Sequence, residues 1–230
     1  LEVETLSRNL RKIILFLAVL ASLLAVFFLG YRYYQRSLAE QMARNELIKA
    51  DRYLENGDFL RAARAYRKVI ELTGREEPDI LKKLVTAEIG LKNRDQAEEL
   101  LNKIVAKNPK DAEAIFQLAL IYYEKRETTR AIELAEKAAA YRVSYAAPRY
   151  FLARQYMALE DYERAAIKLN EIVKNNPGVV KIQPQILKEL AFCYEKLNQK
   201  ELAIYYYQQA LSYFSGDADI HTALKRLSSR

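Results

Sequence analysis

Chemistry in this chain would have to start from Cys193 and His221, the single cysteine and single histidine of the 230 residues. A structural zinc cage needs about four thiol or imidazole ligands at short spacing, and a nucleophilic thiol needs a base beside it. One residue of each type supplies neither. Cys193 falls between Ala191 and Tyr194 in an apolar helical pattern and reads as a buried packing thiol. His221 reads as a surface residue. Acidic pairs such as Glu98-Glu99 are neighbours on a helix face expected to be solvated. No glycine loop that could cradle phosphate, no G-x-S-x-G and no H-E-x-x-H occurs. The expectation is a chain without catalytic residues, metal or cofactor, one that acts by binding.

Composition agrees with a folded helical protein. Hydrophobic residues make up 51% and charged residues 29%, with six Gly, five Pro and no Trp. The formal net charge is +7, but five bases and two acids lie in the first 36 residues, leaving 32 bases against 28 acids in residues 37–230. Both signs are interspersed there, which argues against a nucleic-acid-binding stripe. One cysteine excludes an intrachain disulfide and leaves the compartment open.

Residues 13–30, IILFLAVLASLLAVFFLG, are eighteen in a row without a charge. At ~1.5 Å per residue they reach about 27 Å, close to the hydrocarbon thickness of a bilayer. Arg11 and Lys12 precede them, and Tyr31, Arg32, Tyr33, Tyr34 and Arg36 follow, as basic and aromatic residues do at membrane interfaces. A buried core helix fits poorly, because the segment is apolar all round. A cleaved signal peptide fits poorly too, since the run exceeds the usual ~7–15 residues and bulky residues follow it. The segment reads as an uncleaved transmembrane helix. Basic residues are nearly balanced across it; the tighter N-terminal cluster favours a bacterial inner membrane with the bulk of the chain in the periplasm, the cytoplasmic side being the alternative. No Pro or Gly interrupts residues 31–56, so helix can continue from this segment as a stem.

The rest of the chain is periodic. Aligning Ala62, Ala97, Ala131, Ala165 and Ala203 gives spacings of 35, 34, 34 and 38 residues. Ala50, Val85, Ala119, Ala153 and Ala191 recur twelve residues earlier, and Tyr53, Glu88, Tyr122, Tyr156 and Tyr194 nine earlier. Tyr66, Leu101, Ala135, Leu169 and Tyr207 recur four later, and Val69, Ile104, Ala138, Ile172 and Ala210 seven later. FQLALIYYEKRETTRAIELAEKA and YFLARQYMALEDYERAAIKLNEI show the pattern best. Over roughly residues 43–216 the chain resembles the tetratricopeptide repeat family, with its W-x2-L-G-x2-Y, A-x3-F and A-x4-P signature on paired antiparallel helices. It departs from that signature by lacking Trp throughout and by carrying Glu88 where the other units carry Tyr.

The resemblance implies an all-α fold: an N-terminal single transmembrane helix, then a right-handed α-solenoid of five helical hairpins and a C-terminal capping helix. The expected divisions are a tail at 1–12, the span at 13–30, a stem at 31–42, repeats near 43–76, 78–111, 112–145, 146–179 and 184–216, and the cap at 217–230. GVVKIQP, residues 178–184, lengthens the last spacing, either as a longer loop or as an apolar contact through Val179, Val180 and Ile182. In this family the first helix of each unit lines a groove. That implies a partner-binding surface of Phe116, Leu120, Tyr123, Tyr150, Arg154, Met157, Lys188 and Phe192, suited to an apolar segment with an acidic element. The same projection puts Leu47 and Asp51 where a carboxylate clamp would need Lys and Asn, so that clamp is not expected. Tyr205 and Tyr206, on a second helix, are candidates for a convex contact surface. The expected function is a membrane-tethered scaffold that binds subunits of an envelope complex, with self-association open; the alternative is a chaperone-like accessory receiving translocated chains.

Overall fold

The computed structural model describes residues 2–229, with side chains except at 2–16, 18, 21 and 182. Among them all regular structure is helical, in two compact units, residues 1–93 and 94–230.

The first unit contains α1 (Glu2–Glu55), α2 (Phe59–Thr73) and α3 (Pro78–Gly90), with α2 packed on both α1 and α3. α1 is unbroken over its 54 residues, as the absence of Pro and Gly after Gly30 allows. Among its described side chains the buried ones lie near its C-terminal end: Ala43 and Ala50 are buried, and these small side chains let α2 approach closely. Further up, Leu17, Leu23, Val26, Phe27, Phe28 and Leu29 are exposed on all sides of the helix. Among the described residues no helix is long and apolar enough to cross a membrane. Part of the predicted span 13–30, and Arg11 and Lys12 before it, lie outside the described side chains.

The second unit contains α4 (Arg94–Lys107), α5 (Ala112–Glu124), α6 (Thr128–Tyr141), α7 (Ala146–Ala158), α8 (Tyr162–Asn175), α9 (Pro177–Ile182), α10 (Gln185–Lys196), α11 (Lys200–Leu211) and α12 (Ala218–Ser228). From α4 to α8 each helix packs on the next, then α8 on α10, α10 on α11 and α11 on α12. The repeating small and aliphatic positions form the interior. Ala62, Ala97, Ala131, Ala165 and Ala203 are all fully buried, and so are Tyr66, Leu101, Ala135, Leu169 and Tyr207 or nearly so.

The turn inside each repeat is also periodic. Gly57, Lys92, Arg126, Glu160 and Asn198 have φ between 58° and 72°, the left-handed conformation that ends a helix. The residue after each donates its backbone N–H to the carbonyl five residues back, at Tyr53, Glu88, Tyr122, Tyr156 and Tyr194, each at 2.9 Å. Asp58 and Asp161 then cap the following helix through the N–H groups of Arg61 and Arg164.

The lone acidic replacement is accommodated. Glu88 is fully buried, with Arg67 on one carboxylate oxygen and Asn93 Nδ2 at 2.8 Å on the other. The expectation of a solvated Glu98-Glu99 pair fails at Glu98, which accepts from the Tyr122 hydroxyl and from Lys125 Nζ at 2.7 Å. Residues 178–184 are not simply a long loop: most of them join the short helix α9, and Val180 is buried against α10 and α11 residues. The side chain of Ile182 lies outside the described ones. Asp217 caps α12 through the N–H groups of Asp219 and Ile220, and Ile220, Ala223 and Leu227 turn inward.

Candidate protein-binding surface

The surface is built on α5, α7 and α10 in the second unit. Two cavities open there. One, about 580 Å³, has walls of Phe116, Tyr145, Tyr150, Phe151, Val179 and Ile186, with Arg154 at its edge. The other, about 410 Å³, is formed by Met157, Lys188, Glu189, Phe192, Tyr207 and Arg226, among others. The hydrogen bond from the Tyr150 hydroxyl to Glu189 Oε1, at 3.0 Å, joins their walls.

The eight residues projected from the repeat pattern fall into three groups. Tyr150, Arg154 and Tyr123 face accessible space. Tyr123 is exposed and lies edge-on to Phe151 at 5.3 Å, while Arg154 is exposed with no ion pair among the described residues. Phe116 and Leu120 belong largely to the packing between repeats. Phe116 is buried edge-on against Tyr145 and Phe151, and Leu120 packs on the same interior cluster. Lys188, Met157 and Phe192 line the smaller cavity. Lys188 is not available as a groove cation: its Nζ bonds Asp217 at 2.7 Å and Asp219 at 3.2 Å. The acidic N-terminus of α12 claims it, and the hydrogen bond with Asp217 raises the Lys188 pKa while lowering that of Asp217.

Arg154 is therefore the cation that sets the charge of the larger cavity. Burial pushes the Tyr150 hydroxyl up to about 12, so it remains a neutral donor. Burial also raises the Glu189 carboxyl, against the opposing pull of the Tyr150 hydrogen bond and Arg154. Its second oxygen is buried with no hydrogen-bond partner.

Several determinants escaped the sequence reading. Arg149 is buried and holds the wall between α6 and α7 in place: Nη2 donates to Ala139 O at 2.7 Å, Nη1 to Arg142 O and Tyr145 O, and Nε to Glu171 at 2.8 Å. An Arg on a repeat helix reads as solvated, and nothing in its spacing announces carbonyls it must satisfy. Val179, by contrast, was one of the three residues offered as an apolar contact, and it lines the wall from α9. The Tyr205-Tyr206 contact surface is also reduced. Tyr206 stacks on Tyr194 at 5.6 Å and donates to Asn170 at 3.2 Å, leaving Tyr205 exposed. Cys193 is fully buried, its thiol pushed up to about 12 by burial, and His221 is exposed with Nε2 2.9 Å from Ser215 O.

On α1, Tyr31, Arg32, Tyr33, Tyr34 and Arg36 are all exposed, with Arg36 3.4 Å from Glu40. Lys83 Nζ and the Tyr66 hydroxyl bond Asp51 at 2.8 and 2.6 Å. Burial alone would raise the Asp51 pKa, but these contacts outweigh it and lower it.

Paired helices repeating every 34 or so residues, with small residues at the close contacts, define a helical-hairpin repeat protein. Residues 53–120 and 189–217 match family profiles described as tetratricopeptide repeat, and residues 91–172 match the profile of anaphase-promoting complex, cyclosome, subunit 3. Fold and matches together make this a tetratricopeptide-repeat protein. Its fold is similar to a MamA protein, with TM-score 0.61 and 24% identity over 77% of this chain and 94% of that one. It is also similar to a tetratricopeptide repeat protein from Parabacteroides merdae ATCC 43184, with TM-score 0.64 and 15% identity over 81% and 72%. Rhomboid protease GluP of Bacillus subtilis (strain 168) is 36% identical over 112 residues, which are 47% of this chain and 20% of that protein. The chain thus spans about a fifth of that relative's length.

Proposed function

We propose that the chain is a non-enzymatic scaffold, tethered to a membrane through residues 13–30, whose second unit binds a partner protein in the cavity beside Arg154. The observation that carries the binding half is that cavity: aromatic and aliphatic walls and one exposed guanidinium. Such a site suits an apolar segment that brings a carboxylate to Arg154. The tether reading is supported by the apolar side chains left exposed all round α1 between residues 17 and 29, which in water would cost about 1.5–3 kcal/mol for each large one relative to burial. The adjoining exposed Tyr and Arg side chains suit headgroups. We place the repeats on the periplasmic side of a bacterial inner membrane, as part of an envelope complex.

Affinity purification of the full chain in mild detergent, with quantitative mass spectrometry, tests this. A scaffold recovers a partner at defined stoichiometry, and Tyr123→Ala with Arg154→Glu loses it by about tenfold or more. Unchanged recovery sinks the groove assignment. Protease access in spheroplasts decides the side of the membrane.

A further inference from the structure

The packed and unpacked faces of α1 carry different information. Ala43 and Ala50, which meet α2, are seven residues apart and occupy one position of a heptad. The face directly opposite carries Tyr31, Tyr34, Leu38, Gln41, Asn45 and Ile48, in alternating steps of three and four, and every one of them is exposed. The same register runs back along the helix through Leu17, Leu20, Leu24 and Phe27, exposed like the apolar residues on the other faces there, so in this stretch spacing and not exposure marks the seam. A helix that had only α2 to pack on would be polar on its far side.

We propose that α1 pairs in parallel with α1 of a second copy of this chain, along this seam. A 3.5-residue period of apolar positions is what two wound helices need, and Asn45 falls where a buried Asn fixes register between identical parallel strands. Only parallel, in-register pairing sets Asn45 against Asn45 and Gln41 against Gln41, so that each polar side chain meets its own donor and acceptor. α2 sits on the opposite side of α1 in each copy and leaves the seam clear. The alignment brings Arg44 towards Lys49 of the other copy; Glu46, 3.2 Å from Lys49 Nζ in its own chain, offsets that repulsion. Area decides how far the seam must run. Residues 31–48 are about 27 Å of helix, short for the ~1,200 Å² of a stable interface, so contact must continue through Phe27 to Leu17, where in lipid close packing rather than water exclusion would hold it. The pairing uses none of the cavity residues, but it shares residues 17–27 with the tether of the scaffold reading and rests on that part of it.

Disulfide trapping tests it on the full chain in mild detergent, with buried Cys193 as a silent background. Leu38→Cys and Asn45→Cys, on the seam, are compared with Arg36→Cys and Glu40→Cys, off it. The expected result is a covalent dimer at 38 and 45, at least about fivefold above 36 and 40. Leu38→Glu with Ile48→Glu should convert the particle to a monomer by light scattering. Equal yields at all four positions, no dimer at any, or trapping of a different polypeptide at 38 and 45 overturns the proposal.

Discussion

Glu189 concentrates the tension in the binding surface. Burial, which leaves one oxygen without a partner, disfavours the charged form and raises the carboxyl pKa, although the Tyr150 hydroxyl on the other oxygen and Arg154 oppose it. A carboxyl with a raised folded-state pKa binds more protons folded than unfolded. Its contribution therefore falls as pH rises from the unfolded value towards the folded one. Glu189→Gln keeps an acceptor for Tyr150 and removes the charge. It should raise the melting temperature at neutral pH and change it little near about pH 3.5, where the native side chain is already protonated. A pair of thermal scans decides; equal shifts at both pH values would mean the effect is packing. The left-handed turn residues are a second test at this scale. Lys92, Arg126 and Glu160 occupy a conformation that costs L residues about 1–2 kcal/mol, while Gly57 already meets it with glycine. Lys92→Gly, Arg126→Gly and Glu160→Gly should each stabilise by about 0.5–1 kcal/mol in denaturant titrations, and Asn198→Gly by less, since Asn tolerates this region. Neither feature was legible in the sequence. Glu189 sits beside Lys188 on a groove-lining helix, and only packing shows which of the two is stranded. The turn position is periodic, but its residues change from Gly to Lys, Arg, Glu and Asn, so no residue type marks it.

At the scale of elements, the repeat spacing carried most of the fold. Alanines at the aligned positions are buried because two helices meet there too closely for anything larger, and a 34-residue period of such positions has few other solutions. What the spacing did not carry is α9. The insertion at residues 178–184 left a longer loop and an apolar contact both open, and neither reading foresaw a helix; Val180 finds an apolar interior and Pro177–Ile182 becomes helix around it. Nor did the spacing carry the pairing of Lys188, which lines the smaller cavity bonded to Asp217 and Asp219 at the N-terminus of α12. In the first unit, Gly90 is a close-packing glycine: a Cβ there would stand 2.5 Å from the Phe59 ring. Gly90→Ala should destabilise by about 1–3 kcal/mol, and adding Phe59→Leu should recover part of that loss. Denaturant midpoints of the single and double variants measure the coupling, and simple additivity would remove Phe59 as the cause.

For the whole molecule, the separate observations describe a protein-binding repeat array with a long N-terminal helix whose described side chains are mostly exposed, and no clustered metal ligands among the described residues. The scaffold reading makes one demand that can be read directly: a partner must touch Arg154. A photo-cross-linking residue placed at 154, in cells expressing the full chain, should yield one protein adduct of defined mass. The same residue at 130, on α6, should yield none, because Arg130 lies over the Tyr122 ring at 3.9 Å, away from the cavity. A single adduct from 154, lost on adding Tyr123→Ala, is the predicted result. No adduct from 154, or matching adducts from 154 and 130, would contradict it.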